Sequence, residues 1–174
     1  DYDFYEKGII QQPICSLDNR QPFLKKRPLK LWGYYCTGQY LKVPNRFIVQ
    51  TGSRTRILGT LMYKYQLDGF LHWGFNFYNS EYSLEHINPY RCTDAAGSFP
   101  SGDPFPEESM RIMLMDEAMS DLCAMHYLES MAGREAVLAC IEPEGNEIAG
   151  FDEYPGSISY LSGMRKRINA EISR

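Results

Sequence analysis

The sequence predicts an α/β fold on parallel strands, followed by helices. Three observations carry this. Apolar, aromatic-rich runs of strand length occur at residues 14–17, 31–36 and 70–77. A segment of helical periodicity, residues 53–65, separates the second run from the third, and strands joined by helical crossovers pair in parallel. Beyond residue 106 the pattern is mainly helical.

The elements follow in order. Pro13 and Asp18-Asn19 bracket the first strand, residues 14–17. Lys25-Lys26-Arg27 reads as a solvated helix end. Residues 31–36, LWGYYC, lie between Pro28 and Thr37-Gly38 and carry no polar alternation, as in a strand buried on both faces. In the helix at 53–65, Ile57, Leu58, Leu61, Met62 and Tyr65 share a face, and Asp68-Gly69 ends it. Residues 70–77, FLHWGFNF, form the third strand. Residues 79–106 are punctuated by Asn, Gly and Pro and read as a long loop, a length that in compact domains usually carries function.

A long helix spans 107–131, with Met110, Leu114, Ala118, Leu122, Met125 and Leu128 as its apolar stripe and Gly133 past its end. Six of the eight methionines lie on it, which at this spacing reads as core filling. A short helix at 134–141, a short strand at 148–154 and an amphipathic helix at 157–172 complete the chain. In the last helix, Arg165-Lys166-Arg167 reads as a solvated face.

Composition narrows the function. A chain of 174 residues with net charge −4 lacks the basic footprint of a nucleic-acid binder. No apolar run is long enough to span a membrane. The odd set Cys15, Cys36, Cys92, Cys123 and Cys140, without a CxxC pair, reads as reduced thiols and leans to a reducing compartment such as the cytoplasm. His72, His86 and His126 have no metal-ligand spacing. Phosphate-loop, dinucleotide and nucleophile-elbow motifs are absent, so neither a metal nor a cofactor is expected.

What the chain has in excess is aromatic side chains, thirteen of them tyrosines. Polarised ring faces suit the apolar C–H faces of sugars, although strand aromatics more often fill cores. In parallel α/β folds, ligands bind at the C-terminal strand ends. Tyr34, Tyr35, Trp73 and Asn76 lie there, and Asp18, beside a turn, joins them as a carboxylate. Trp32 and Tyr34 share one side of their strand and Tyr35 takes the other. No strand carries the two neighbouring acids of ordinary glycoside hydrolysis, so no catalytic residue is assigned.

The ordered stretches LWGYYCTGQYLKVPNRFI, RTRILG, YKYQLDGFLHWGFNFYNS, INPYRCTDAAGSFPSGDPF and PEESMRIMLMDEAMSDLCAMHYLE resemble the bacterial glycoside-hydrolase-like family known as domain of unknown function 4091. That family is similar to glycoside hydrolase family 123, whose members are β-N-acetylgalactosaminidases. The resemblance implies that residues 1–174 form the C-terminal part of a (β/α)8 TIM barrel, followed by C-terminal helices, with residues 14–17, 31–36 and 70–77 as its last three strands.

It also implies substrate assistance, in which the sugar's acetamido oxygen attacks the anomeric carbon while an adjacent Asp-Glu pair orients it and transfers protons. The resemblance places that pair on a strand before those seen here. It implies sugar-stacking roles for Tyr34 and Trp73, with Asn76 as a hydroxyl partner. A Tyr-Pro-Gly turn usual in the family is missing between Phe105 and Ser109. The expected ligand is a carbohydrate, and either an upstream part of the same protein or an oligomeric partner is expected to close the barrel. A non-catalytic carbohydrate-binding protein on this scaffold is the alternative reading.

Overall fold

The computed structural model describes residues 2–18, 22–23, 26–36, 38–39, 41–47, 49–72 and 110–174. Their elements are α1 (Tyr2–Glu6), β1 (Ile14–Ser16), β2 (Trp32–Tyr35), α2 (Gly52–Lys64), β3 (Gly69–His72), α3 (Met110–Ala132), α4 (Arg134–Ile141) and α5 (Ile158–Ile172). The strands form a parallel sheet in sequential order, β1-β2-β3. The third strand is described only to His72, so residues 73–77 of the expected strand lie outside the described residues.

Register fixes the two faces of the sheet. Ile14 pairs with Trp32 and Trp32 with Gly69, while Ser16 pairs with Tyr34 and Tyr34 with Leu71. These side chains share one face, on which Trp32 and Leu71 are exposed. Cys15, Gly33, Tyr35, Phe70 and His72 share the other. There Cys15 and Tyr35 are buried in one continuous core with Leu17 and with Ile57, Leu58, Leu61 and Met62 of α2. Gly33 keeps that face close-packed, since a Cβ would lie 2.7 Å from Leu67.

Polar clamps set the entry to the strands. Asp68 N–H donates to the Leu31 carbonyl at 2.8 Å, and Leu31 N–H donates to Asp68 Oδ2 at 2.9 Å, which ties the starts of β2 and β3 together. The guanidinium of Arg27 donates to the carbonyls of Tyr65 and Gln66 past the end of α2. Arg27 is thus a helix cap and not merely part of a solvated basic cluster.

Helix α3 is the hub of the helical layer and touches α2, α4 and α5. At its crossing with α2 a Cβ on Gly59 would lie 2.0 Å from the Ala118 carbonyl oxygen, so only glycine fits. One turn along, the fully buried Asp121 carboxylate accepts from Arg56 Nε at 2.8 Å and Nη2 at 3.1 Å, and from Arg165 Nη1 of α5 at 2.9 Å. Glu117 adds a contact to Arg56 at 3.0 Å. Neither Arg165 nor Arg167, which donates to the Cys140 carbonyl at 2.8 Å, belongs to a merely solvated face.

The methionines of α3 divide. Met125 is buried and Met115 and Met119 pack against the core, whereas Met110, Met113 and Met131 are exposed. Gly133, with φ +81°, turns the chain from α3 into α4. Residues 148–154 are not the expected strand. The amides of Ala149 and Gly150 both donate to the Glu153 carbonyl, so this segment satisfies its backbone in a compact turn. Ser157 caps α5 by accepting from Tyr160 N–H at 3.1 Å. The helix α1, which the sequence did not announce, packs Tyr2 and Tyr5 on Phe23.

Two substitutions test this packing. Gly59→Ala must push α3 away from α2 and is expected to cost about 2 kcal/mol, lowering the thermal midpoint by roughly 4–8 °C. Asp121→Ala leaves two arginines without their shared anion and is expected to cost about 3–5 kcal/mol in urea unfolding. A loss below about 1 kcal/mol would show that the ion cluster is not what joins these helices.

Candidate functional site

The C-terminal ends of the strands converge on a polar cluster built by β1, β2 and the segment from residue 36 to 51. Gln39 is its centre. It is buried, and its amide Nε2 donates to Ser16 Oγ at 2.8 Å and to Asp18 Oδ1 at 3.0 Å. Its Oε1 accepts from Cys36 N–H at 2.7 Å. Ser16 Oγ also donates to Asp18 Oδ1.

Asn45, also buried, supports this arrangement from beneath. Its Nδ2 donates to the carbonyls of Cys36 and Gln39, both at 2.7 Å, and its Oδ1 accepts from Arg46 N–H at 2.8 Å. Two residues hold the segment from outside. Arg54 of α2 donates to the carbonyls of Leu41 and Val43, and Tyr154 donates its hydroxyl to the Lys42 carbonyl at 2.7 Å. The segment is therefore fixed largely by hydrogen bonds, which specify direction more tightly than apolar contact does.

Arg46 is almost wholly buried, and its guanidinium lies against the His72 ring at the end of β3. Arginine only donates, so only an imidazole nitrogen that carries no proton can accept from Arg46. The Arg46 carbonyl in turn accepts from Arg111 Nε of α3 at 2.8 Å.

Tyr34 is half-buried on the open face of the sheet, next in register to Ser16. Its phenol is pushed up to about 12, first by its hydrogen bond with the Cys36 thiol, then by desolvation and by the thiol's charge when ionised. Tyr35 points the other way. It is only 1 % exposed, with its ring 4.7 Å from Phe70 and 4.8 Å from His72, so it packs in the core beneath the strand end. Asp18 is exposed at the sheet edge. Trp73 and Asn76 lie outside the described residues.

Of the residues singled out from sequence, the structure thus joins Asp18 to this cluster and sets Tyr34 beside Ser16. Gln39, Asn45, Arg46 and His72 were not singled out. The available signal was Gly38-Gln39 and Pro44-Asn45-Arg46, amide and guanidinium groups directly after an aromatic strand in a parallel fold. Two adjacent Asp-Glu pairs, Asp116-Glu117 and Asp152-Glu153, sit on α3 and in the turn before α5, not on a strand. Among the described residues no group of three or more His, Cys, Asp or Glu side chains could hold a metal ion, and no helix is long and apolar enough to cross a membrane.

A parallel sheet with a polar, aromatic-flanked cluster at its C-terminal edge is the kind of α/β framework on which small polar ligands are handled. Comparison with protein families sharpens this. The model of the glycoside hydrolase 123 catalytic domain matches residues 1–128, and the chain belongs to that family. The match takes in the three strands, α2 and most of α3, and stops before α4 and α5. No curated protein matches the chain.

The phenols give a pH test. Tyr34 and Tyr63 are each raised from 10 to about 12, Tyr63 mainly by burial. Between pH 10 and 12 the unfolded chain therefore loses these protons while the folded chain keeps them. Stability is full below pH 10 and falls as pH rises through that window. Ultraviolet titration of tyrosinate is expected to show a late-ionising class that loses one member in Tyr34→Phe. An unchanged late class in that variant would remove the thiol–phenol bond from the account.

Proposed function

We propose that this chain is the C-terminal part of a (β/α)8 barrel that acts on a glycan, with substrate-assisted hydrolysis of an N-acetylhexosaminide as the chemistry. The observation that carries the reading is the match to the glycoside hydrolase 123 catalytic domain over residues 1–128, taken with a prearranged polar cluster at the strand ends within the matched stretch. The barrel reading draws support from the sequential parallel order and from α2 packing on a single face of the sheet. A barrel keeps its helices outside and its strands in order, whereas a doubly wound sheet reverses order at a switch point.

In this proposal Tyr34 and Trp73 stack on the sugar, and Asn76 and Asp18 bond its hydroxyls. Tyr35 contributes as a packed support behind Tyr34. Proton transfer belongs to the Asp-Glu pair that the family resemblance places on an earlier strand, and none of the five residues named here is catalytic. The open face and the edges of the three-stranded sheet are completed by an upstream part of the same protein or by a second copy.

Trp73→Ala in the full-length protein is expected to weaken hydrolysis or binding of an N-acetyl-β-galactosaminide about tenfold or more, while the thermal midpoint stays within a few degrees. Unchanged kinetics would remove Trp73 from the pocket. Binding without cleavage in the wild-type protein would instead favour a carbohydrate-binding role for the same site.

A further inference from the structure

We infer that Gln39 is a positioning residue that aims the Asp18 carboxylate at a hydroxyl of the bound sugar, making Asp18 a specificity determinant for that hydroxyl. The inference deepens the glycoside reading above and rests on it. It follows from the direction of the hydrogen bonds. Cys36 N–H can only donate, so the Gln39 amide must face it with its oxygen, as observed at 2.7 Å. The NH2 group is then forced toward β1, where it donates to Ser16 Oγ at 2.8 Å and to Asp18 Oδ1 at 3.0 Å. Ser16 Oγ, having accepted, donates its own O–H to the same Asp18 oxygen.

Every donor in the chain thus ends on Asp18 Oδ1, and Oδ2 has no partner among the described residues. Asp18 is exposed at the C-terminal edge of the sheet, while Gln39, whose side-chain amide fixes it, is buried and has its backbone carbonyl held by Asn45. A carboxylate with one oxygen satisfied by the protein and the other unbonded within it is an acceptor open to an O–H donor, and a sugar hydroxyl is such a donor. Among the described residues the other ionisable groups at this sheet end are Tyr34, Cys36, Arg46 and His72, and no hydrogen bond joins any of them to Asp18.

The test uses the full-length protein, methyl N-acetyl-β-galactosaminide, and its singly deoxygenated analogues, with dissociation constants from calorimetry. Asp18→Asn and Gln39→Glu are each expected to weaken the parent glycoside by about ten- to a hundredfold. One deoxy analogue, lacking the recognised hydroxyl, should be bound equally by wild type and variants.

The double variant D18N/Q39E reverses the donor and acceptor across the pair and leaves an amide oxygen facing the ligand. It is expected to recover most of the lost affinity, which a general loss of structure would not do. Single variants that bind the parent normally, or that weaken all analogues alike, overturn the inference and leave the glycoside reading standing. A wild-type protein that binds none of these glycosides overturns both.

Discussion

The helical layer depends on one buried anion. Asp121 has no access to water, and a carboxylate in that position is tolerable only because two guanidinium groups from two other helices supply three donors to it. The geometry demanded is strict. Arg56 must come from α2 and Arg165 from α5, so the three helices can meet in a single rotational setting. Gly59, one turn away, removes the side chain that would otherwise hold α2 and α3 apart. Charge fixes the angle of approach, and the missing Cβ fixes the distance.

The strand ends use a different solution. There the groups that hold Ser16 and Asp18 are amides rather than ions. Asn45 holds Gln39, and Gln39 holds Ser16 and Asp18. Neutral donors and acceptors are cheaper to bury than charges, and each amide has a distinct donor end and acceptor end. Such a network fixes which atom of an exposed carboxylate remains available, and an apolar core cannot do that. The helical layer supplies rigidity, and the amide network converts it into orientation at a surface.

Much of the fold was legible because its signals are periodic. Ile57, Leu58, Leu61 and Met62 mark the core face of α2, and the aromatic run from residue 31 marks β2. The parallel order followed from the helix between strands. What was not legible depended on pairing across distance. Nothing local distinguishes Arg165, bound to a buried carboxylate on another helix, from Lys166 beside it, which is exposed. The turn at residues 148–154 read as a strand because its apolar residues resemble one, yet its amides find a carbonyl three and four residues away. Alternation separated Tyr34 from Tyr35, but only the packing of α2 says which of the two faces inward.

The double engagement of Arg46 reaches beyond the cluster. Its side chain meets His72, the last described residue before residues 73–109, and its carbonyl receives Arg111, just after them. A single buried residue therefore ties the end of β3 to the start of α3. The cost of closing a chain segment is paid mostly in bringing its ends together, and each doubling of length adds only about 0.6 kcal/mol. By holding the end of β3 against the start of α3, Arg46 meets that cost within the framework itself, so the sheet and the helical layer keep their relation through a residue that belongs to neither.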